Sequence, residues 1–86
     1  MIQMVWYKVV YAYRGGVDKW GMYPPDLEYT GSLDALLPKA KDCGLMYGAD
    51  FMVVYRAENP RAIQTVWIPV GRWVNKKGNW YKDRKN

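Results

Sequence analysis

The chain contains no histidine and only one cysteine, Cys43, among its 86 residues. Histidine is the side chain most often used in general acid–base catalysis, and it is also one of the common zinc ligands. A single cysteine cannot form an internal disulfide or complete a zinc site. We therefore expect a protein that is not an enzyme, with no catalytic residues, no metal site and no cofactor, and with a core that is held by packing alone.

Long apolar runs are also missing. No stretch approaches the roughly 20 apolar residues that cross a bilayer. The opening residues, MIQMVWYKVVYAYR, lack the basic region, apolar run and small-residue cleavage site of a signal peptide. We therefore expect a cytoplasmic protein with no membrane partner. The length suits one small α+β domain over residues 1–86, with a frayed basic tail at 82–86.

Charge is divided unevenly along the chain. Residues 1–71 carry seven basic and seven acidic side chains, whereas residues 72–86 carry six basic side chains and one acidic one. The formal net charge of +5 therefore belongs to the final segment. Positive charge that is segregated in this way favours a polyanionic partner.

The first third of the chain predicts two paired strands. Apolar and aromatic residues alternate on both faces of Ile2–Arg14, which indicates an interior strand. A Gly-Gly pair then supplies a tight turn into a second strand, Val17–Tyr23, which would place Tyr11 opposite Trp20. Two prolines end that strand, and the stretch PPDLEYTGS is interpreted as a loop.

A helix is predicted next. The apolar residues no longer alternate with every second position and instead recur every three or four positions, as they do on one face of a helix. Asp34 is the preferred N-cap, since Pro38 then lies in the first turn; a cap at Ser32 would place Pro38 inside the helix, where a hydrogen bond is lost. Gly48 is the expected C-terminal stop. The apolar stripe of the helix consists of Leu33, Leu36, Leu37, Ala40, Cys43, Gly44 and Tyr47.

The remainder predicts two strands and a closing hairpin. FMVVYRA and AIQTVWIPV are joined by a turn at Glu58–Arg61, and Pro69 with Gly71 indicates an edge or a bulge, where an exposed edge could permit a homodimer. The segment RWVNKKGNWY would form a hairpin around a three-residue loop, Lys76–Gly78. Trp73 would then oppose Tyr81, and Val74 would oppose Trp80.

The expected fold class is therefore α+β. We expect one antiparallel sheet of four to six strands, in the order ββαββ plus a C-terminal hairpin, with one helix packed on one face.

The closing hairpin combines aromatic rings with cations, as surfaces that bind single-stranded nucleic acid do. We predict a non-enzymatic binding module that contacts nucleic acid or a nucleoprotein complex through this hairpin. In the competing interpretation, Trp73 and Trp80 close the end of the core and the terminal KDRKN is a solubilising tail. The predicted contact residues are Arg72, Trp73, Lys76, Lys77, Trp80, Tyr81, Lys82, Arg84 and Lys85.

The other aromatic residues suggest an alternative function. The chain has eight Tyr, five Trp and one Phe, and Tyr and Trp are enriched at protein–protein hot spots. The alternative is an inhibitor or adaptor that grips an acidic protein surface, in the format of small phage-encoded inhibitors of host defence or host enzymes. The same rings could instead only give bulk to the first hairpin. The candidate second contact patch consists of Tyr7, Tyr11, Tyr13, Trp20 and Tyr23.

Overall fold

The computed structural model describes residues 5–18, 20–21, 26–57 and 65–83. Five strands form one open antiparallel sheet in the order β2-β1-β3-β4-β5, and one helix packs on it, so the predicted α+β class is confirmed. The elements are β1 (Trp6–Ala12), β2 (Leu27–Thr30), α1 (Leu33–Tyr47), β3 (Phe51–Ala57), β4 (Trp67–Lys76) and β5 (Asn79–Asp83).

The first strand is interior, as predicted, and lies between β2 and β3. Its predicted hairpin partner is wrong. Among the described residues of the predicted second strand, Val17 and Gly21 form bends and Trp20 lies in a turn. The amide groups of Trp20 and Gly21 both donate hydrogen bonds to Asp18, so they are used locally rather than in a ladder. Lys19, Met22 and Tyr23 lie outside the described residues. The strand beside β1 is instead β2, in the stretch interpreted as a loop, and Tyr11 lies opposite Met52.

The helix begins two residues earlier than predicted. Ser32 is the N-cap, and its hydroxyl oxygen accepts a hydrogen bond from the Ala35 amide at 3.2 Å, so the choice of Asp34 is wrong. Pro38 consequently lies inside the helix, where a proline costs about 3 kcal/mol. The burial of the apolar stripe offsets that loss. Gly48 ends the helix at φ 78°, as predicted.

The helix packs on one side of the sheet, which we call the covered face. The core lies at its centre, where Val9, Met52 and Val54 are fully buried. Toward the end of the helix the contact is especially close at Gly44. A Cβ atom added there would lie 2.7 Å from Cζ2 of Trp80 and 2.8 Å from Cε1 of Tyr11. Glycine at this position therefore lets α1 rest directly on two aromatic rings.

The fourth strand is one continuous element, whereas the sequence predicts a strand up to residue 70 followed by a separate hairpin strand. It passes through Pro69 and Gly71 with a bulge, since Val54 pairs with Gly71 and Tyr55 with Pro69. The predicted irregularity is thereby confirmed. The predicted turn at Glu58–Arg61 lies outside the described residues.

The closing hairpin is present with a different register. Its turn has two residues, Lys77 and Gly78, both with positive φ (54° and 84°), as a type I′ turn requires. Tyr81 therefore lies opposite Val74, and Trp80 opposite Asn75. The predicted three-residue loop and its pairing are wrong by one residue. Residues 82 and 83, predicted as part of a frayed tail, belong to β5.

Candidate functional site

The register of the hairpin decides which side chains share a face, because a slip of one residue moves each side chain to the other side of the sheet. Trp73 lies opposite Lys82 and next to the core, on the covered face. Tyr81 and Arg72 lie on the other side. We call that side the open face, since no helix or strand among the described residues packs on it.

Two of the three predicted stacking rings are used inside the protein. Trp73 is only 5% exposed, and its ring lies over Gly71, where a Cβ atom would come within 2.9 Å of it. Trp80 is half-buried, and its indole Nε1 donates a hydrogen bond to the carbonyl oxygen of Lys41 at 3.0 Å. Tyr81 is 54% exposed and remains available to a ligand.

The predicted cations that the structure describes are exposed, but they point in several directions. Arg72 and Lys76 lie on the open face, Lys77 lies in the turn, and the ammonium group of Lys82 lies 5.7 Å from the Trp73 ring on the covered side. The hairpin is thus surrounded by positive charge. Arg84 and Lys85 lie outside the described residues.

A first group of rings and cations on the open face involves three strands. The Nζ atom of Lys8 in β1 lies 4.7 Å from the ring centroid of Trp67 in β4 and 5.6 Å from that of Tyr55 in β3. Both distances are within the range of cation–π attraction. We call these three residues the Lys8 cluster.

A second group lies at the other end of β3. The guanidinium carbon of Arg72 lies 4.8 Å from the ring centroid of Phe51, and that of Arg14 lies 5.6 Å from the same ring. We call these three residues the Phe51 cluster. Arg72 also approaches Asp83, with Nε 3.8 Å from Oδ2.

Sequence reasoning found neither cluster as a group. It interpreted Phe51, Tyr55 and Trp67 only as strand residues, and among the six members of the two clusters it named Arg72 alone as a contact residue. One feature of the sequence could have indicated the clusters. The side chains that β3 directs to each side of the sheet are mainly apolar, which indicates either that both faces are covered or that one face is covered and the other binds a ligand. Which cations approach these rings depends on the pairing of strands that are far apart in sequence.

The second predicted patch is divided by the structure. Tyr7 is buried, and the Tyr11 hydroxyl donates a hydrogen bond to the carbonyl oxygen of Ala40, so both belong to the covered side. Burial raises the pKa of Tyr11 above its ordinary value, and burial together with Asp18 raises the pKa of Tyr13 to about 12. Both phenols therefore remain protonated at neutral pH.

Only one residue of that patch is strongly exposed among those the structure describes. Trp20 is 56% exposed and meets the Tyr47 ring edge to face, with the centroids 5.7 Å apart. Tyr23 lies outside the described residues. Trp20 is thus an exposed ring that lies apart from the two cation-bearing clusters.

Within the described ranges, no group of three His, Cys, Asp or Glu side chains could hold a metal ion, and Cys43 is a half-buried free thiol. The single helix described, α1, is too short and too polar to span a membrane. Comparisons with protein-family models, with curated proteins and with solved structures found no match to this chain.

Proposed function

We propose that this protein is a non-enzymatic module that binds nucleic acid with the open face of its sheet and the basic hairpin at the edge of that face. The observation that carries the proposal is the mixture of rings and cations on one surface, in the Lys8 cluster and the Phe51 cluster. Bases stack on aromatic rings, and cations neutralise phosphates. A surface that offers both groups is complementary to both parts of a nucleotide.

Electrostatics on this face favour an anionic ligand. The hairpin segment from residue 72 onward holds the net positive charge of the chain. Two carboxylates lie on the same side: Oδ2 of Asp83 is 3.8 Å from Nε of Arg72, whose side chain is half exposed, and Glu28 lies opposite Lys8 in the β1–β2 pair. The Asp83 side chain is 22% exposed, and an ion pair at such a partly exposed position contributes on the order of 1 kcal/mol. A phosphate can therefore replace this carboxylate at Arg72 with little loss of stability.

The experiment that tests the proposal is the binding of a fluorescently labelled, unpaired oligonucleotide, followed by anisotropy over a salt series. If four phosphates are contacted, the logarithm of the association constant should fall with the logarithm of salt concentration with a slope of about −3. The absence of binding at low salt, or an affinity that does not change with salt, would reject the proposal.

A pair of charge variants locates the interface. The triple variant Lys76→Gln, Lys77→Gln, Lys82→Gln removes three cations from the hairpin, and we expect at least a tenfold loss of affinity and a slope that is smaller by about two. The matched control removes three cations elsewhere, on the helix and on β3. Equal losses in both variants would show that binding follows the total charge of the protein and does not depend on the hairpin. The control substitutions are Lys39→Gln, Lys41→Gln and Arg56→Gln.

An acidic protein surface is the alternative ligand, since Tyr, Trp and Arg are also the residues of protein–protein hot spots. A pull-down from nuclease-treated lysate separates the two. A stoichiometric protein partner that survives nuclease, combined with no oligonucleotide binding, would replace the nucleic-acid proposal with the inhibitor or adaptor function.

Dimerisation through a strand edge stays a prediction. Among the described residues, β5 pairs only with residues 72–76 of β4. The first half of β4, Trp67–Gly71, therefore pairs with β3 on one side and has a strand edge without a described neighbour on the other. Pro69 and the bulge are features that limit strand addition at such an edge. Gel filtration at several concentrations measures the oligomeric state.

The cytoplasmic location also stays a proposal, which microscopy of a fluorescent fusion would test.

A further inference from the structure

We infer that the ligand of the open face is an unpaired strand, whose bases stack separately on the Lys8 cluster and the Phe51 cluster. This inference rests on the proposed function and names the form of nucleic acid that it takes. The starting observation is the placement of Phe51 and Tyr55, which lie on the same strand and the same face. Four residues of β-strand separate them by about 13 Å.

Each cluster has the two groups that one nucleotide needs. Tyr55 and Trp67 offer flat rings beside the ammonium group of Lys8, and Phe51 offers a ring beside Arg72. Bases that stack on such rings must first leave the base stack, as they do in single-stranded segments. Two separated stacking positions therefore favour an extended strand that runs along β3.

The cations that now lie over these rings do not prevent stacking. The three rings are half-buried, and a cation–π contact contributes about 0.5–1 kcal/mol at an exposed site and about 2 kcal/mol when it is desolvated, whereas a base stacked on an aromatic side chain contributes about 1–3 kcal/mol. The flexible stem of Lys8 lets its ammonium group move from the ring face to a phosphate of the same nucleotide. Stacking is thus at least comparable in energy to the contact that it displaces, and the displaced cation gains a phosphate as its new partner.

Duplex DNA is the competing form. A two-stranded ribbon can enter the major groove, and the β4–β5 hairpin is such a ribbon with Lys77 in its turn. Tyr55 and Trp67 lie on β3 and at the far end of β4 from that turn. A duplex held by the hairpin turn would therefore be insensitive to the loss of either ring.

The test compares a short unpaired oligonucleotide with the duplex made from it. The variants are Tyr55→Leu, Trp67→Leu and Phe51→Leu, which keep apolar bulk and remove the ring, and the matched control is Trp20→Leu, an exposed ring outside both clusters. We expect each cluster variant to weaken binding of the unpaired strand about tenfold, and we expect Tyr55→Leu and Trp67→Leu, which lie away from the hairpin turn, to leave duplex binding unchanged. Circular dichroism and thermal melting identify any variant that does not fold. Binding is then compared among the variants that do fold.

The outcomes separate this inference from the proposed function. Equal, salt-dependent binding of both forms, with no effect of the ring variants, would overturn the inference and leave nucleic-acid binding intact. Binding of neither form would overturn both. A loss in Trp20→Leu equal to that in Trp67→Leu would also overturn the inference, because the stacking would not then belong to the clusters.

Discussion

The two faces of the sheet both carry aromatic rings, and they surround those rings with different partners. On the covered face, Trp80 and Tyr11 donate hydrogen bonds to backbone carbonyl groups of the helix. On the open face, the cationic groups of Lys8 and Arg72 lie over the rings, a kind of contact that the covered face shows between Lys82 and Trp73. The comparison shows that the role of a Trp or Tyr is decided by what covers it, and that its residue type alone does not reveal that role.

Under the proposed function, this difference separates residues that stabilise the fold from residues that bind the ligand. Removing a buried ring leaves a cavity, so the loss falls on the free energy of unfolding. Removing an exposed ring such as Tyr81 leaves a space that water fills, so the free energy of unfolding changes little. Any effect of such a substitution should then appear in the affinity for the ligand. Substitutions on the two faces should therefore be distinguishable by measuring both quantities.

The largest effect is expected at Trp73. Trp73→Ala should lower the free energy of unfolding by about 3–5 kcal/mol, because the ring is buried against the core. Urea denaturation measures this loss, and Trp73→Leu, with a smaller cavity, covers the case in which the alanine variant is unfolded. The control is Tyr81→Ala, an exposed ring on the open face, for which we expect a loss below about 1 kcal/mol. Similar losses in the two variants would remove the distinction between the faces.

An intermediate effect is expected at Gly44, where the helix meets the rings of the covered face. Alanine has a higher helix propensity than glycine by about 1 kcal/mol, but its Cβ atom would lie within 2.8 Å of both Trp80 and Tyr11. We expect Gly44→Ala to destabilise the protein by about 1–3 kcal/mol, measured by urea denaturation. Asp42→Ala, at an exposed position of the same helix, is the control and should be neutral or slightly stabilising. A stabilised Gly44→Ala variant would show that the helix does not rest on these rings.

Much of the fold could be predicted from residue spacing. The alternation in β1 and β3 and the helical stripe that ends at Gly48 each depend on a local pattern, and the structure confirms these elements. The second strand could not be found in this way. The Gly-Gly pair suggested an immediate hairpin, but hydrogen bonds within residues 13–21 close local turns there, and the short sequence LEYT supplies the strand beside β1.

The register of the hairpin could not be predicted because two preferences compete there. Lysine is disfavoured at positive φ, which makes a loop with only Gly78 in the left-handed region the simpler choice. The structure nevertheless holds Lys77 at φ 54°. In the resulting register Trp80 faces the helix, where its N–H group reaches a carbonyl oxygen. A tertiary contact thus prevails over a local preference of the turn.

The candidate site was partly accessible from sequence. The concentration of positive charge after residue 71 directs attention to the hairpin, whose described lysines are exposed. The rings of the Lys8 cluster and the Phe51 cluster were not accessible, since Lys8 and Trp67 meet only because β1, β3 and β4 are neighbours in the sheet. That order is a long-range property, which residue spacing does not encode.

The smallest effect is expected at Trp80, and it tests the boundary between the two faces. Trp80→Phe keeps an aromatic ring against the helix and removes the N–H group that bonds to Lys41, so we expect a loss of about 1 kcal/mol in the free energy of unfolding. Tyr81→Phe is the control, since Tyr81 is exposed and its loss should be smaller. Oligonucleotide affinity should be unchanged in Trp80→Phe, because this ring is anchored to the covered side. If its affinity fell while its stability did not, Trp80 would belong with the binding rings, and the division of the sheet into a structural face and a binding face would be wrong.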